Sequence, residues 1–513
     1  MGRSFLRGAA WLAVGSLVSK VLGAVYRVFL PRVLGDAGVG LFQMAYPLYA
    51  VVLTLSVTGI PLALSKLTAE WRAAGRDQDA DHLADWALWG LGLMGLGLAG
   101  GMALASRWLA RAVFHEPRAA LPILALSPAL ALVALEAGWR GYFQGRQRMR
   151  PTAISQILEQ GVRVLVMFPL AMALLSRGLS AGVAGAVAGA PLGAAAGAWY
   201  LARVRRQYGV LRPRWPVPWR RLGRLTALAA PMAMTALFFP ALLLTDAVVV
   251  PGRLLSIGYS GMAATAAYGR LAGEAMPLIN VTLILGSALG LSVVPSVAAA
   301  VAAGDERRAV ERVGAALGAI WLVGLPLAGG LFVLARPLTT LLYGNPGAAL
   351  ALAVLCGAAV ALTAQQLLAN ALQAAGHGWV PVRNLVGALA VKASLDWVLV
   401  PRCGIEGAAA ATVGAVVLAV ALNWRAWCRR VGRPAPRVRA WLVPLMGTMV
   451  LVAAVRAYLT PEHQWPRGLT VLGPAAPTVP TLLAIVLGVL AYAAVVIPLG
   501  GPSLWRRLWQ EQP

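Results

Sequence analysis

The chain has 513 residues, of which 59% are hydrophobic and only 12% are charged. A soluble protein of this size could not cover so much apolar surface, so the composition excludes a soluble globular fold. The net charge of +26 would favour nucleic-acid binding in a soluble protein, but here the basic residues flank apolar segments. The composition therefore indicates an integral membrane protein that does not bind nucleic acid.

Apolar runs long enough to cross a bilayer recur along the whole chain, since about 20 helical residues span its hydrocarbon core. We predict an all-α integral membrane protein with about fourteen transmembrane helices and no inserted soluble domain. In chain order, the predicted spans are residues 7–30, 38–64, 85–106, 119–143, 153–176, 180–202, 222–250, 268–303, 309–335, 348–375, 382–400, 404–427, 441–460 and 481–499.

The distribution of Lys and Arg predicts the orientation of these helices. When basic residues near span ends are counted with the adjoining connection, the even-numbered connections and the two termini carry 29 of the 44 basic residues, the odd-numbered connections carry 10, and five lie deep inside spans. Basic residues concentrate on the cytoplasmic side of membrane proteins, so both termini are expected in the cytoplasm. The densest segment, residues 203–224, carries eight arginines and is expected to attract anionic membrane lipids.

A weak internal repeat relates the two halves of the chain, at an offset of about 230 residues or six spans. An even number of spans gives both repeats the same orientation, which predicts two pseudo-symmetric six-helix lobes plus two C-terminal helices. Pro47 and Pro277 occupy equivalent places in the repeat and are predicted hinges. The predicted domains are an N-lobe (1–202), a basic cytoplasmic linker (203–221), a C-lobe (222–427) and the C-terminal helices with a tail (428–513).

Ionisable residues inside the predicted spans are candidate functional residues, because a charge at the bilayer centre costs about 2.5–3.5 kcal/mol. Three pairs of opposite charge stand four residues apart, which stacks them on one helix face. Each pair could also simply neutralise itself and fix the orientation of its helix. The pairs are Glu159/Arg163, Arg270/Glu274 and Lys392/Asp396, and the further candidates are Glu136 and Asp246.

Lys20 and Arg27 differ from these pairs because neither has an acidic residue within helical reach on the first span. Two such cations need an anion from another helix or from a ligand. Phosphate and pyrophosphate suit them, since Arg donates through a planar fork and Lys acts as a point charge.

Signatures of catalysis or of a bound cofactor do not occur in the sequence. The three cysteines and four histidines have no metal-ligand spacing, and no G-x-x-x-x-G-K-[ST] loop is present. We therefore predict no catalytic residue, no metal and no cofactor. Any transport must draw on an ion gradient, the membrane potential or the substrate gradient.

Three stretches resemble one family of membrane proteins: residues 19–23, 40–70 and, most specifically, 142–164. They are similar to the stage V sporulation protein B-like polysaccharide transporters, relatives of the MurJ-type lipid II flippases in the multidrug/oligosaccharidyl-lipid/polysaccharide flippase superfamily. The resemblance implies a monomer in the bacterial cytoplasmic membrane, with two six-helix lobes around a central cavity. It also implies alternating access and a polyprenyl-pyrophosphate-linked glycan as substrate.

The resemblance also suggests substrate-binding residues. Lys20 stands where lipid II flippases have the first cavity arginine of helix 1, and Arg27 is one residue displaced from the second. Arg270 matches the cavity arginine of helix 8, with Glu274 shifted by one from that helix's acidic residue. The arginine expected in mid-helix 2 is absent from residues 51–54, so this cavity is expected to be less cationic.

Some members of the resembled family bind sodium in the C-lobe, and the matching positions here are Asp246, Asp396 and Thr412. The remaining position, an Asn in those members, is Lys392. We predict that the Lys392 ammonium replaces the sodium ion and bridges Asp396 and Asp246. The alternative is that Lys392 extends to the cytoplasmic interface and leaves an ordinary sodium site.

These observations predict a flippase for undecaprenyl-pyrophosphate-linked cell-envelope glycan precursors, with Lys20, Arg27 and Arg270 holding the pyrophosphate. A multidrug antiporter of the same superfamily is a second hypothesis, although it would favour an acidic, aromatic cavity. A membrane glycosyltransferase or ligase is a third, but such enzymes usually carry a sizeable outer loop. A non-transporting partner in envelope assembly is the fourth.

Overall fold

The computed structural model describes residues 2–207, 217–434, 438–459 and 478–499, and every regular element in these ranges is a helix. By their internal contacts, the residues form two compact units, Met1–Gly269 and Arg270–Pro513. The boundary falls inside the eighth predicted span, while the lobe limits at 202 and 222 remain a prediction.

The described residues of the first unit form ten α-helices. They are α1 (Gly2–Val57), α2 (Ile60–Ala73), α3 (Asp77–Trp108), α4 (Ala120–Leu126), α5 (Pro128–Gly145), α6 (Met149–Leu175), α7 (Leu179–Arg206), α8 (Trp219–Ala236), α9 (Phe238–Ser256) and α10 (Gly261–Gly269). A π-helical turn, Leu109–Val113, and a 3-10 turn, Pro117–Ala119, join α3 to α4.

The second unit begins with a π-helical segment, Arg270–Ala275, that carries Arg270 and Glu274. Its described α-helices are α11 (Met276–Ala302), α12 (Glu306–Val333), α13 (Ala335–Tyr343), α14 (Ala349–Ala374), α15 (Trp379–Arg430), α16 (Val438–Leu459) and α17 (Thr478–Val496).

Eleven helical stretches among the described residues are long and apolar enough to cross a membrane. The two longest helices each contain a break in the backbone: Gly35 in α1 (φ 67°, ψ 173°) and Gly404 in α15 (φ 61°, ψ −139°). Both breaks fall at or beside predicted connections between spans, so one long helix corresponds to two predicted spans. The predicted fold class, an all-α integral membrane protein, is confirmed.

The break at Gly404 folds α15 into an antiparallel helical hairpin. Asn384 on the first arm donates to Asn423 on the second at 2.8 Å, and both amides are buried. The arms meet closely at Gly407, where a Cβ would collide with the carbonyl oxygen of Leu399. The hairpin thus brings Thr412 on the second arm beside Lys392 and Asp396 on the first.

Glycines on α7 allow it to pack directly against the backbone of α6. A Cβ at Gly185, Gly189 or Gly193 would meet the carbonyl oxygens of Leu170, Arg163 and Glu159 respectively. Small residues are the usual means of close helix approach in membranes, where lipid gives no hydrophobic drive for association. This contact positions the charged face of α6 inside the first unit.

The distribution of apolar and ionisable side chains between surface and interior is the reverse of that in a soluble protein. Large apolar side chains such as Leu104 and Leu165 are 89% and 74% exposed, whereas Glu136 and Lys392 are not exposed at all. Lipid accepts the outward apolar side chains, and ionised groups are retained where protein groups can compensate them. The candidate site residues therefore lie among these buried ionisable groups.

Candidate functional site

A buried ionic cluster, here called the Arg140 cluster, connects α5 and α6 in the first unit. It consists of Glu136, Arg140, Ser155, Glu159 and Arg163. Nη2 of Arg140 donates to Glu136 Oε1 at 3.2 Å and to Glu159 Oε2 at 2.9 Å, while its Nε donates to Ser155 Oγ at 3.0 Å. Arg163 Nη2 donates to Glu159 Oε1 at 2.9 Å. The Glu159/Arg163 pair noted in the sequence is therefore part of a larger network.

The absence of a side chain at Gly197 on α7 makes room for this cluster. A Cβ there would occupy the position of Glu136 Oε1, so only glycine lets α7 lie over the carboxylate. The α7 glycines therefore set the helix spacing and also enclose the Glu136 carboxylate away from lipid.

Arg163 also faces a group of aromatic side chains on α1. A cavity of about 10 Å³, room for about one water molecule, is lined by Tyr26, Phe42, Tyr46 and Arg163. The rings of Phe42 and Tyr46 stack with centroids 5.7 Å apart. Arg163 Nε is buried and has no hydrogen-bond partner among the described residues. This Nε–H group is available to an oxygen-bearing ligand or to water.

Arg27 belongs to the same region of the first unit. It lies within electrostatic range of Tyr26, Tyr46 and Arg163, and it forms no ion pair with a carboxylate among the described residues. Arg27 and Arg163 thus give this region two guanidinium groups beside tyrosine hydroxyls. The side chain of Lys20, the other predicted cation of the first span, lies outside the described residues.

Arg270 and Glu274 lie in the second unit, on the π-helical segment that precedes α11. Glu274 is fully buried, and its backbone carbonyl accepts a hydrogen bond of 3.1 Å from the Tyr343 hydroxyl. The Arg270 side chain packs against Gly347, where a Cβ would lie 2.7 Å from Arg270 Cδ. Pro277 is the second residue of α11, directly after this segment, and Pro47 lies inside α1. π-Helical segments often occur at functional sites.

A second buried ionic group lies in the α15 hairpin. Lys392 Nζ is 3.1 Å from Asp396 Oδ2 and donates to Thr412 Oγ1 at 2.9 Å. None of the three residues is more than 1% exposed. Asp246, the fourth residue of the predicted ion site, is buried on α9 in the first unit, within electrostatic range of Tyr268.

Some arginines of the basic segment 203–224 form ion pairs within the protein. Arg205 is buried, pairs with Asp85 at 2.9 Å and stacks over the Tyr142 ring at 4.6 Å. Arg221 and Arg224 on α8 pair with Asp79 and Glu70 at 2.7 and 3.3 Å. Arg212 and Arg214 lie outside the described residues. Attraction of anionic lipid therefore remains a prediction for the exposed members, such as Arg203 and Arg206.

A polar cluster outside the membrane spans joins the connection before α4 to α10. Glu116 accepts hydrogen bonds from Arg118 at 2.6 and 2.8 Å and from the Thr265 hydroxyl at 2.7 Å. Burial alone would raise the pKa of the Glu116 carboxyl, but these hydrogen bonds outweigh it and hold the pKa below its ordinary value. This end of the first unit is thus stabilised by an ionised carboxylate.

A large apolar groove lies in the second unit between α12, α16 and α17. Its volume is about 790 Å³, and its walls are almost entirely hydrocarbon. Its lining includes Leu278 from α11 together with Leu327, Leu331, Leu451, Val455 and Val489. The groove can accept a long, flexible apolar chain, but it offers almost no polar partner.

Sequence reasoning missed the role of Arg140, which lies inside the predicted span 119–143 but is not among the candidate residues. The signal was present, because Glu136 and Arg140 stand four residues apart like the three pairs that were identified. Thr412 was identified only through the family resemblance. The apolar groove could not have been found, since its lining residues do not differ from ordinary membrane-helix residues.

Comparison with known proteins gives a family match and curated relatives. The family described as "Polysaccharide biosynthesis protein" matches residues 5–301. Stage V sporulation protein B of Bacillus subtilis (strain 168) is 30% identical over 440 residues, covering 82% of this chain and 83% of that protein. Lipid II flippase MurJ of the same organism is 23% identical over 370 residues, covering 67% of each chain.

Solved structures show the same fold at low sequence identity. Lipid II flippase MurJ in an inward closed conformation gives a TM-score of 0.70 at 13% identity, covering 97% of this chain and 98% of that chain. An inward-facing multidrug resistance MATE family transporter gives 0.69 at 14% identity, covering 81% and 94%. Because the match to the MurJ structure covers 97% of this chain, the unmatched residues are too few to include both α16 and α17.

The resemblance found in the sequence is thereby confirmed over most of the chain, from the first helices to the C-terminal pair. The relatives are transporters and flippases rather than enzymes. The chain belongs to the polysaccharide biosynthesis protein family, among the membrane proteins that resemble stage V sporulation protein B and MurJ.

Proposed function

We propose that this protein is a flippase that moves polyprenyl-pyrophosphate-linked cell-envelope glycan precursors across the bacterial cytoplasmic membrane. The observation that carries the proposal is the pairing of intramembrane cations with a separate apolar groove in one chain. A lipid-linked glycan has the same division, with a dianionic head group and a long hydrocarbon tail. The family relationship supports this class of substrate.

The groove between α12, α16 and α17 is the proposed site for the polyprenyl tail. Its 790 Å³ can hold a substantial part of such a tail. Lipid chains are as apolar as the groove, so affinity there must come from shape and packing rather than from the hydrophobic effect. The groove therefore guides the tail, and recognition is left to the head group.

The proposed head-group residues are Lys20, Arg27 and Arg270, with Arg163, Glu159 and Glu274 beside them. Arg27 and Arg163 support this role because two guanidinium groups in the first unit lie within electrostatic range of each other. Like charges in a medium of low dielectric are stabilised by a bound anion, and a pyrophosphate can accept from both forks. We propose that Arg270 joins them during transport.

Movement is proposed to occur by alternating access, with lobes 1–202 and 222–427 rocking against each other. Pro47 and Pro277 are the proposed bends, since Pro47 lies inside α1 and Pro277 follows directly on the π-helical segment that carries Arg270 and Glu274. Cross-linking the extracytoplasmic ends of the first and eighth predicted spans through introduced cysteines should then abolish transport.

The test is translocation of a fluorescent polyprenyl-pyrophosphate disaccharide by the purified full chain in proteoliposomes, read as protection of the head group from an impermeant quencher. Wild type should translocate the lipid, and Arg27→Ala should lose translocation while reconstituting in equal amount. Arg203→Ala, an exposed arginine on α7, is the matched control and should retain it. Export of a cationic dye without movement of the glycan lipid would instead identify a multidrug antiporter.

The Lys392 group is the proposed replacement for a sodium site. Its ammonium already supplies one positive charge beside Asp396 and donates to Thr412, and all three side chains are buried. A sodium ion would have to displace this charge. We therefore propose that transport does not require sodium, and that Asp246 engages the same group during the cycle.

A further inference from the structure

Glu136 is the least compensated carboxylate of the Arg140 cluster. Its side chain is fully buried, and Oε1 accepts one hydrogen bond of 3.2 Å from Arg140. Its other oxygen, Oε2, has no hydrogen-bond partner among the described residues. An ionised carboxylate with one oxygen unsatisfied is costly in such a position, whereas a protonated one is not.

Glu159 binds the Arg140 guanidinium more closely than Glu136 does. It accepts 2.9 Å hydrogen bonds from both Arg140 and Arg163, so its two oxygens are each satisfied by a guanidinium group. Glu136 Oε1 and Glu159 Oε2 both accept from the single Nη2 atom of Arg140, so the two carboxylates lie close together. Two ionised carboxylates at this separation repel each other, and a proton on one of them removes the repulsion. Glu136 is the one that gains by holding it.

The surroundings of Glu136 contain few charges that could replace this proton. From α5 the facing group is Arg140, from α6 they are Glu159 and Arg163, and from α1 it is Tyr49. α7 contributes Gly197, which has no side chain. Arg163 is already bonded to Glu159, and Arg140 is shared between both carboxylates. Both arginines are thus engaged by Glu159, and no described group bonds the second oxygen of Glu136, so a proton is favoured on that carboxylate.

We propose that Glu136 is a proton-binding site of the transport cycle, with Arg140, which it shares with Glu159, as the fixed counter-charge. The site carries one proton as Glu136–COOH and releases it to water when the cycle opens the cluster to one face of the membrane. Arg140 is then shared by two carboxylates. The role as a coupling site rests on the proposed flippase function, but proton binding itself does not.

The first experiment measures the proton directly, by infrared spectroscopy of the purified full chain in nanodiscs. A carboxylic acid C=O band should be present in wild type at neutral pH and lost in Glu136→Gln. Glu159→Gln should also lose it, because Arg140 is then free to hold Glu136 as an anion. The control Glu311→Gln, an exposed partner of Arg307 on α12, should keep it. Persistence of the band in Glu136→Gln would overturn the assignment.

The second experiment separates coupling from a purely structural proton. In proteoliposomes, a pH gradient should change the translocation rate of the fluorescent glycan lipid several-fold for wild type and leave the rate of Glu136→Gln unchanged. Wild-type translocation that ignores the gradient would overturn the coupling role and leave the flippase function standing. Proton flux that depends on Glu136, reported by an internal pH dye without lipid movement, would support the site and overturn the flippase function.

Discussion

The Lys392 ammonium lies 3.1 Å from Asp396 Oδ2, and neither side chain is exposed to solvent. The pair spans one helical turn on the first arm of the α15 hairpin, and Thr412 on the second arm accepts a further hydrogen bond from the ammonium. An ion pair taken wholly out of water is costly to assemble and still more costly to break on one side. The contact therefore holds the two arms in one register.

Replacing one member of this pair should destabilise the protein strongly. Lys392→Met removes the ammonium that pairs with the buried Asp396 carboxylate and should lower the free energy of unfolding by about 3–5 kcal/mol. The double variant Lys392→Met/Asp396→Leu removes both charges and should recover most of that loss. Melting temperatures of the purified variants check this, and Lys66→Met, in an exposed pair with Glu70, should change little. A double variant as unstable as the single one would contradict the prediction.

Sodium should have no specific effect on the protein. Replacing sodium with potassium should leave both melting temperature and translocation rate unchanged, because Lys392 already occupies the position of a cation. In Lys392→Asn the ammonium is gone, and a sodium-dependent rise in melting temperature is expected there. A sodium-dependent rise in the melting temperature of wild type that Asp396→Ala removes would contradict the proposal that Lys392 takes the place of sodium.

Arg205 and Arg206 are neighbours on α7 with different surroundings. Arg205→Ala removes the guanidinium that pairs with buried Asp85 and covers the Tyr142 ring, so it should destabilise the protein by about 3–5 kcal/mol. Arg206 is exposed, and Arg206→Ala should leave the melting temperature unchanged. Because the cause lies inside the first unit, the Arg205 effect should persist in neutral detergent free of anionic lipid. Its disappearance there would instead indicate a lipid-binding role.

The glycine contact between α6 and α7 gives a matched pair of substitutions. Gly193→Ala places a methyl group against the carbonyl oxygen of Glu159, and overpacking of this kind costs about 1–3 kcal/mol. Gly161→Ala on α6 meets no atom within 4 Å and should be neutral or slightly stabilising, since alanine favours the helix. Melting temperatures of both variants, with the amount of folded protein recovered from membranes, test the difference. Equal effects would contradict the packing argument.

The Glu116 cluster predicts a pH dependence of stability. Its carboxyl has a lowered pKa in the folded protein, so it stabilises the fold at pH values above the ordinary Glu pKa of about 4.3. That contribution should be lost as the pH falls through the lower folded value. The melting-temperature difference between wild type and Glu116→Gln should therefore be constant near neutrality and shrink in acid. Thr265→Val removes one hydrogen-bond donor to Glu116, so in that background the melting-temperature difference caused by Glu116→Gln should be smaller. A melting-temperature difference that grows in acid would contradict the prediction.

The sequence alone was enough for the fold class and for the residues most worth examining. Hydropathy and helical spacing are local properties, so fourteen spans and the Lys392/Asp396 pair could be predicted from neighbouring residues. The cost of a charge in lipid likewise made Glu136, Glu159 and Arg163 candidates before any contact was known. The family resemblance rested on short stretches whose residues are contiguous.

The tertiary structure decided which of these charges meet. Arg140 is shared between Glu136 and Glu159 only because α5 and α6 face each other, and Gly197 on α7 leaves the space that the carboxylate fills. Arg205 proved to be an internal partner of Asp85 rather than a lipid contact, although nothing in its neighbouring sequence distinguishes it from Arg206. Contacts between helices depend on which faces pack together, and that choice is set by side-chain shape across the whole bundle rather than by local periodicity.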